Sequence, residues 1–305
     1  MSIAHALLFP GQGSQRVGML ERLPELDSLD RLLDAAEALS GLPLRRIAAE
    51  GSDSDLADTR AAQPLLYLTD WAWGSTLLAA GFTPGAVSGH SLGEFAALAV
   101  AEAFSVEAGL ELVTERARLM SETAEDTPGA MSAVLGLSGG EVSELVNAIS
   151  GVWVANDNAV GQVVISGTHA GVEAATAALS GAGARRIVPL AVSGPFHSPL
   201  MKPAADAFAA ILDSTDFSDT MIPVIQNTGP EPTCEAAVLR ERLALQMTSP
   251  VRWTETMDAL ISMGVETVIE AGPGAVLKGL ARRIDGLTAY AVEDGGLEAV
   301  VEGVL

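Results

Sequence analysis

The chain has a single cysteine, Cys234, among 305 residues, so no disulfide can form within it. A reducing compartment, the cytosol, is the expected setting. Lysine is almost missing: Lys202 and Lys278 are the only two, and the formal net charge is −22. Nucleic acid is therefore excluded as an expected partner, because binding phosphates needs clustered cations. Apolar runs stay far short of the ~18 residues that suggest a membrane helix, so no membrane association is expected. Residues 1–10 carry no basic segment and no cleavage pattern, so no leader is expected. Repeats and low-complexity tracts are lacking too. What remains is 49% hydrophobic, enough for one large domain or for a domain with a smaller insert.

Two zones differ in their patterning. In the first, short apolar strands alternate with helices. Strands are predicted at 4–9, 86–88, 222–226 and 265–270, and helices at 64–80, 92–103, 105–124 and 275–284. This alternation predicts a mostly parallel, covered sheet in an α/β domain made of residues 1–127 and 194–305. Between the two parts, residues 128–193 read as strand 131–137, helix 140–149, strands 152–155 and 162–166, helix 172–180 and strand 186–192. That order is the ferredoxin-like signature, here as a small inserted domain. A cleft between the two is the expected substrate site.

Gly89-His90-Ser91-Leu92-Gly93 matches the G-x-S-x-G elbow, with a short strand before it and an apolar helix after it. The glycines allow a sharp turn that exposes the Ser91 hydroxyl. The following helix offers backbone N–H groups, and the Leu92 N–H can face an oxyanion. Adjacency to Ser91 makes His90 a poor base and a candidate pocket-lining residue. Of the four histidines, His197 lies on a loop at the expected domain junction, downstream of Ser91, and is the candidate base. By position alone it is equally a turn histidine. The helix at 105–124 has an apolar stripe at Val106, Leu110, Val113, Ala117 and Met120. Arg116 borders that stripe, whereas Arg118 faces outward and can pair with Glu122. A partly buried arginine needs an anion, either a protein carboxylate or a substrate carboxylate.

Several motifs then occur in one order: Phe9-Pro10-Gly11-Gln12-Gly13-Ser14-Gln15, Gln63-Pro64, Gly89-His90-Ser91-Leu92-Gly93-Glu94 and Arg116. Gly161-Gln162-Val163-Val164-Ile165-Ser166-Gly167, Phe196-His197, Gln246 before Ser249-Pro250-Val251, and Glu270-Ala271-Gly272-Pro273-Gly274 follow. Together they resemble the malonyl-CoA:acyl carrier protein transacylases and the related acyltransferase domains of polyketide synthases, over nearly the whole chain. The resemblance implies an α/β-hydrolase-like large domain and a ferredoxin-like insert. It implies Ser91 as nucleophile and His197 as base, with a backbone carbonyl near Gln246 in place of the usual aspartate. Gln12 and Leu92 would supply the oxyanion hole, and Arg116 would bind the malonyl carboxylate. Gln63, His90, Phe196, Asn158 and Gln246 would line the substrate site.

In the polyketide relatives a phenylalanine before the catalytic histidine goes with malonyl and a serine with methylmalonyl, a steric preference of about 1–3 kcal/mol for one methyl. Phe196 holds that place. Two departures stand out. Asn156-Asp157-Asn158-Ala159-Val160 lacks a proline common in the family, and Gly194-Pro195-Phe196-His197 stands where Val-Pro-Ser-His is frequent. Both fall beside the expected pocket.

The implied reaction moves malonyl from coenzyme A to an acyl carrier protein by ping-pong chemistry, with malonyl-CoA as substrate, no permanently bound cofactor and no metal. A monomer is the family expectation. Coenzyme A and most carrier proteins are anionic, so local cations must overcome the field of an acidic chain. Arg185, Arg186, Lys278 and Arg282 are the candidates, against solvated surface charge as the plain alternative. Fatty-acid synthesis, trans-acting polyketide loading and malonate decarboxylase loading would share these residues. A carrier-protein acyl hydrolase would share Ser91 and His197 without needing Arg116.

Overall fold

The computed structural model describes residues 5–304 of the chain, with side chains described through residue 300. Among the described residues, ten strands occur in chain order. They are β1 (His5–Phe9), β2 (Ala86–Gly89), β3 (Ala130–Leu135), β4 (Val152–Ala159), β5 (Gln162–Gly167), β6 (Arg186–Pro189), β7 (Val224–Gln226), β8 (Gly229–Thr233), β9 (Thr267–Glu270) and β10 (Thr288–Ala291).

Six of them form one sheet in the order β10-β9-β1-β2-β7-β8. Every neighbouring pair is parallel except β7 with the edge strand β8. Ala6, Leu7, Leu8 and Phe9 of β1 are all fully buried. Such a continuous apolar run is what a central strand covered on both faces requires. One face packs on the helices Thr59–Ala79, Gly93–Val100 and Val106–Asp126, and the other on Trp253–Ser262 and Val276–Ala281. The parallel sheet expected from the sequence is present. Ala4, the first residue of the expected strand, lies outside the described residues.

The other four strands form an antiparallel sheet, β4-β5-β3-β6, built entirely from residues 130–189. Its helices, Gly139–Asn147 and His169–Gly181, share a separate apolar core with it. This is the ferredoxin-like insert. Main-chain bonds tie its β4 to the large part: the Asp157 N–H donates to the Val251 carbonyl, and the Val251 N–H to the Ala155 carbonyl.

Several boundaries differ from expectation, two of them for clear physical reasons. β4 runs on to Ala159 because residues 156–159 pair with β5 through two bulges. β6 ends at Pro189 rather than at residue 192. The helix expected from Pro64 begins at Thr59, where the Asp58 side chain accepts from the Arg60 N–H. Pro64 is thus inside the helix and removes one of its hydrogen bonds. The cap and near-complete burial between residues 59 and 70 hold the helix despite that loss.

Candidate active site

The parallel strands set the site at their carboxyl ends, where open α/β sheets place ligands. β1 delivers the Pro10–Gln12 turn, β2 delivers Ser91 and β7 delivers Asn227. The reason for the G-x-S-x-G spacing is steric. A Cβ on Gly89 would lie 1.9 Å from the carbonyl carbon of Gly93, and one on Gly93 would lie 2.0 Å from the Phe9 oxygen. Ser91 itself holds φ = 52°, a left-handed conformation strained for a residue with a side chain.

His197 reaches this elbow from the loop after the insert. Its Nε2 lies 2.8 Å from Ser91 Oγ. Its Nδ1 is 3.1 Å from both the Gln246 and the Ser249 carbonyl oxygens. Carbonyls only accept, so Nδ1 carries the hydrogen and Nε2 is free to accept the serine proton. Burial, the Arg116 charge and then His90 push the imidazole down to a pKa of about 3, and the two carbonyls oppose the shift. The ring is neutral at physiological pH and ready as a base.

Arg116 is 1% exposed. Its Nη1 donates to Gln63 Oε1 at 2.8 Å. Its Nη2 donates to Gln246 Oε1 at 2.9 Å and to Ser91 Oγ at 3.3 Å. The guanidinium also lies 5.5 Å from the centre of the Phe95 ring. Its partners are neutral oxygens; no protein carboxylate is hydrogen-bonded to it among the described residues. Burial lowers its pKa to about 10, opposed by the charge of buried Glu94, so it remains a cation. Arg118 pairs outward with Glu122 and Glu115.

The remaining expected residues surround these three. Gln63 is fully buried and donates to Gln12 Oε1 at 3.4 Å. The Gln12 side chain in turn donates to Thr59 Oγ1. Among the described residues, the backbone N–H groups of Gln12 and Leu92 have no acceptor, which leaves both open to an incoming oxyanion. His90 Nε2 is 2.8 Å from Asn158 Oδ1, and the His90 ring packs on Trp253. A β4 bulge turns Asn158 out of register with β5 and toward His90. Gln246 has a larger part than its sequence position suggests. Its carbonyl meets His197, its side-chain oxygen meets Arg116, and its side-chain N–H donates to the Ser91 carbonyl at 2.9 Å.

A cavity of about 160 Å³ opens on Ser91 and His197. Gln12, His90 and Asn158 give it a polar wall, and Met120, Met131, Val164 and Phe196 an apolar one. Phe196 is buried there beside Gly194. The proposed surface cations stand apart from this constellation. Arg185, Arg186 and Arg282 are exposed, while the Lys278 ammonium is already paired with Asp294.

Sequence reasoning missed Asn227, which sits under the elbow and accepts the Ser91 N–H at 2.7 Å. Its only sequence signal was its place just past β7, the strand beside the nucleophile strand. Among the described residues, no cluster of three metal-ligating side chains occurs.

The family model described as "Acyl transferase domain" matches residues 6–300. The malonyl CoA-acyl carrier protein transacylase of Bacillus subtilis is 41% identical over 295 residues, covering 95% of this chain and 93% of that protein. The crystal structure of the Synechocystis malonyl-CoA:ACP transacylase superposes with a TM-score of 0.89 at 38% identity, covering 98% of this chain and 99% of that one. A malonyl-transacylase solved in complex with its type II polyketide synthase acyl-carrier protein superposes with a TM-score of 0.91 at 35% identity, covering 99% of both chains. Matched almost from end to end by the family model and by these relatives, the chain belongs to the acyl transferase family, among the malonyl-CoA:acyl carrier protein transacylases.

Proposed function

We propose that this chain moves a malonyl group from malonyl-CoA to the phosphopantetheine thiol of an acyl carrier protein, through a malonyl ester on Ser91. The observation that carries the reading is Arg116, a buried cation beside the nucleophile whose protein partners are all neutral. Buried Glu94 acts on it only through space, and a buried charge without a directly paired anion is costly. A substrate carboxylate supplies that anion, and bidentate pairing selects a malonyl over an acetyl group.

Ser91 Oγ attacks the thioester carbonyl as its proton passes to His197 Nε2. The oxyanion sits on the Gln12 and Leu92 N–H groups. The carbon–sulfur bond breaks, the coenzyme A thiolate takes the proton from His197, and malonyl-Ser91 remains. In the second half the carrier thiol gives its proton to His197 and attacks the ester. Ser91 leaves and recovers the proton. The Gln246 and Ser249 carbonyls stabilise the transient imidazolium, as an aspartate does in a triad.

Arg185, Arg186 and Arg282 serve as docking cations for the acidic carrier or for coenzyme A phosphates. Lys278 is less free because of Asp294. The working unit is a cytoplasmic monomer that needs no bound cofactor, with residues 128–193 as the inserted domain and residues 1–127 and 194–305 as the large one. No helix among the described residues is long and apolar enough to cross a membrane.

The reading is tested by offering a panel of acyl-CoA donors and weighing the intact protein. Malonyl-CoA adds one malonyl group, the Ser91→Ala protein gains none, and addition of holo carrier protein removes it. Rapid loss of the ester to water in the absence of carrier would favour hydrolysis instead.

A further inference from the structure

Asn227 is fully buried directly beneath the nucleophile turn. Its side-chain oxygen accepts the Ser91 N–H at 2.7 Å, and its side-chain N–H donates to the Gly89 carbonyl, also at 2.7 Å. The two bonds clamp the residues on either side of His90. Ser91 stays at φ = 52°, a conformation that persists only when its surroundings over-determine it.

The clamp is itself anchored. The Asn227 N–H donates to Glu94 Oε2 at 2.9 Å, and its carbonyl accepts the Arg252 N–H at 3.2 Å. Glu94 is fully buried at the start of the nucleophile helix, and its other oxygen accepts from Gln226 Nε2 at 3.0 Å. Each polar atom of Asn227 therefore has a partner. An amide does this job whatever the pH, because one position must accept and the neighbouring one must donate; a carboxyl matches it only when protonated.

We propose that Asn227 is a positioning residue for catalysis: by pairing with the main chain on both sides of His90, and held in turn by Glu94, it keeps the strained Ser91 turn in the geometry that aims Oγ at His197 and leaves the Leu92 N–H facing the oxyanion. Asn227 does not line the cavity on Ser91. It acts through the backbone of the turn rather than by touching substrate. The inference rests on Ser91 as the nucleophile and is independent of which acyl group is carried.

The test compares two reactions of Ser91 in the full-length protein: single-turnover malonylation by malonyl-CoA, and phosphonylation by a fluorophosphonate probe, which needs the nucleophile and base but no malonyl recognition. In folded Asn227→Ala, both rates are expected to fall by about 10²-fold, the scale of a small misplacement of reacting groups. The KM for malonyl-CoA is expected to change by less than about threefold. The isosteric Asn227→Asp variant covers the case in which alanine does not fold. Its carboxylate can accept from the Ser91 N–H, but it donates to the Gly89 carbonyl only when protonated. Relative to the parent protein, its labelling is expected to be faster at about pH 6 than at about pH 8. Parent-like labelling of folded Asn227→Ala, or equal relative rates of Asn227→Asp at the two pH values, would overturn the proposal. A parent protein that reacts with the fluorophosphonate but not with malonyl-CoA would instead overturn the malonyl reading, leaving the variant comparison intact.

Discussion

Arg116 Nη2 lies 3.3 Å from Ser91 Oγ, a buried guanidinium beside the hydroxyl that is to carry the acyl group. The two come from different elements, Arg116 from within the helix Val106–Asp126 and Ser91 from the turn before the helix Gly93–Val100. Gln63 and Gln246 hold the guanidinium through side-chain oxygens. Neutral acceptors keep it in place without neutralising it, so its charge is kept for a ligand. On the proposed reading, one fixed cation next to the nucleophile would select a short acyl chain ending in an anion.

His197 is expected to stay neutral across the physiological range. Burial and the nearby Arg116 charge bring its pKa to about 3 from an ordinary 6.5. The unfolded chain protonates this imidazole near 6.5 and the folded one does not, so its contribution to stability declines as pH falls from 6.5 toward 3. Histidine-labelled NMR between about pH 5 and 8 checks this. Its ring signals should not titrate in that window, and a midpoint near 6.5 would contradict the assigned environment.

Asp70 should destabilise the protein as the pH rises. It is fully buried, neither carboxyl oxygen has a hydrogen-bond partner, and it packs against Gly272. Burial, with the Glu270 charge second, holds its pKa well above the ordinary value. The unfolded state releases this proton at lower pH than the folded state, so stability is lost as pH climbs from 3.8 toward the raised value. Replacing it, Asp70→Asn, should reduce the drop in Tm as pH rises from about 4 to about 8. An unchanged drop would count against a neutral, buried Asp70.

Gly93 should tolerate no side chain. A Cβ there meets the Phe9 oxygen at 2.0 Å and the Pro10 oxygen at 2.6 Å, so the two turns of the oxyanion region would be forced apart. Gly93→Ala is expected to cost at least about 1–3 kcal/mol in denaturant unfolding and to slow Ser91 labelling. Gly279, with open space around its Cβ position, is the control. Gly279→Ala in its helix should be neutral or stabilise by about 0.4–1 kcal/mol.

Carrier recognition is expected to depend on exposed arginines. The double change Arg185→Glu with Arg186→Glu should raise the KM for the carrier protein several-fold, more at low salt than at high salt, while the KM for malonyl-CoA hydrolysis or exchange moves less. Unchanged carrier kinetics at low ionic strength would remove these residues from the docking surface.

Much of the site was legible because its chemistry depends on short motifs with steric causes. Gly89 and Gly93 are glycines because the backbone approaches itself there, and that spacing shows in the sequence. His197 and Arg116 needed family resemblance, since a loop histidine and a stripe-edge arginine each have ordinary structural explanations. Asn227 and the side-chain contacts of Gln246 were not legible. They arise from β7 lying beside β2 and from a 3-10 turn at Gln246–Thr248, relationships across more than a hundred residues. The fold was read best where strands alternate with periodic helices. The helices Leu29–Ser40 and Lys202–Ser214 escaped because no motif drew attention to those stretches, although each has an apolar face on the main core.

The most direct measurement is kcat/KM for malonyl-CoA and acetyl-CoA in the parent protein and in Arg116→Ala, read as acyl-Ser91 formation. The arginine should account for the preference: malonyl is expected to fall by about 10²-fold, the scale of truncating one member of a buried charged pair, while acetyl holds within about threefold or improves. An Arg116→Ala protein that still prefers malonyl as strongly as its parent would contradict the account.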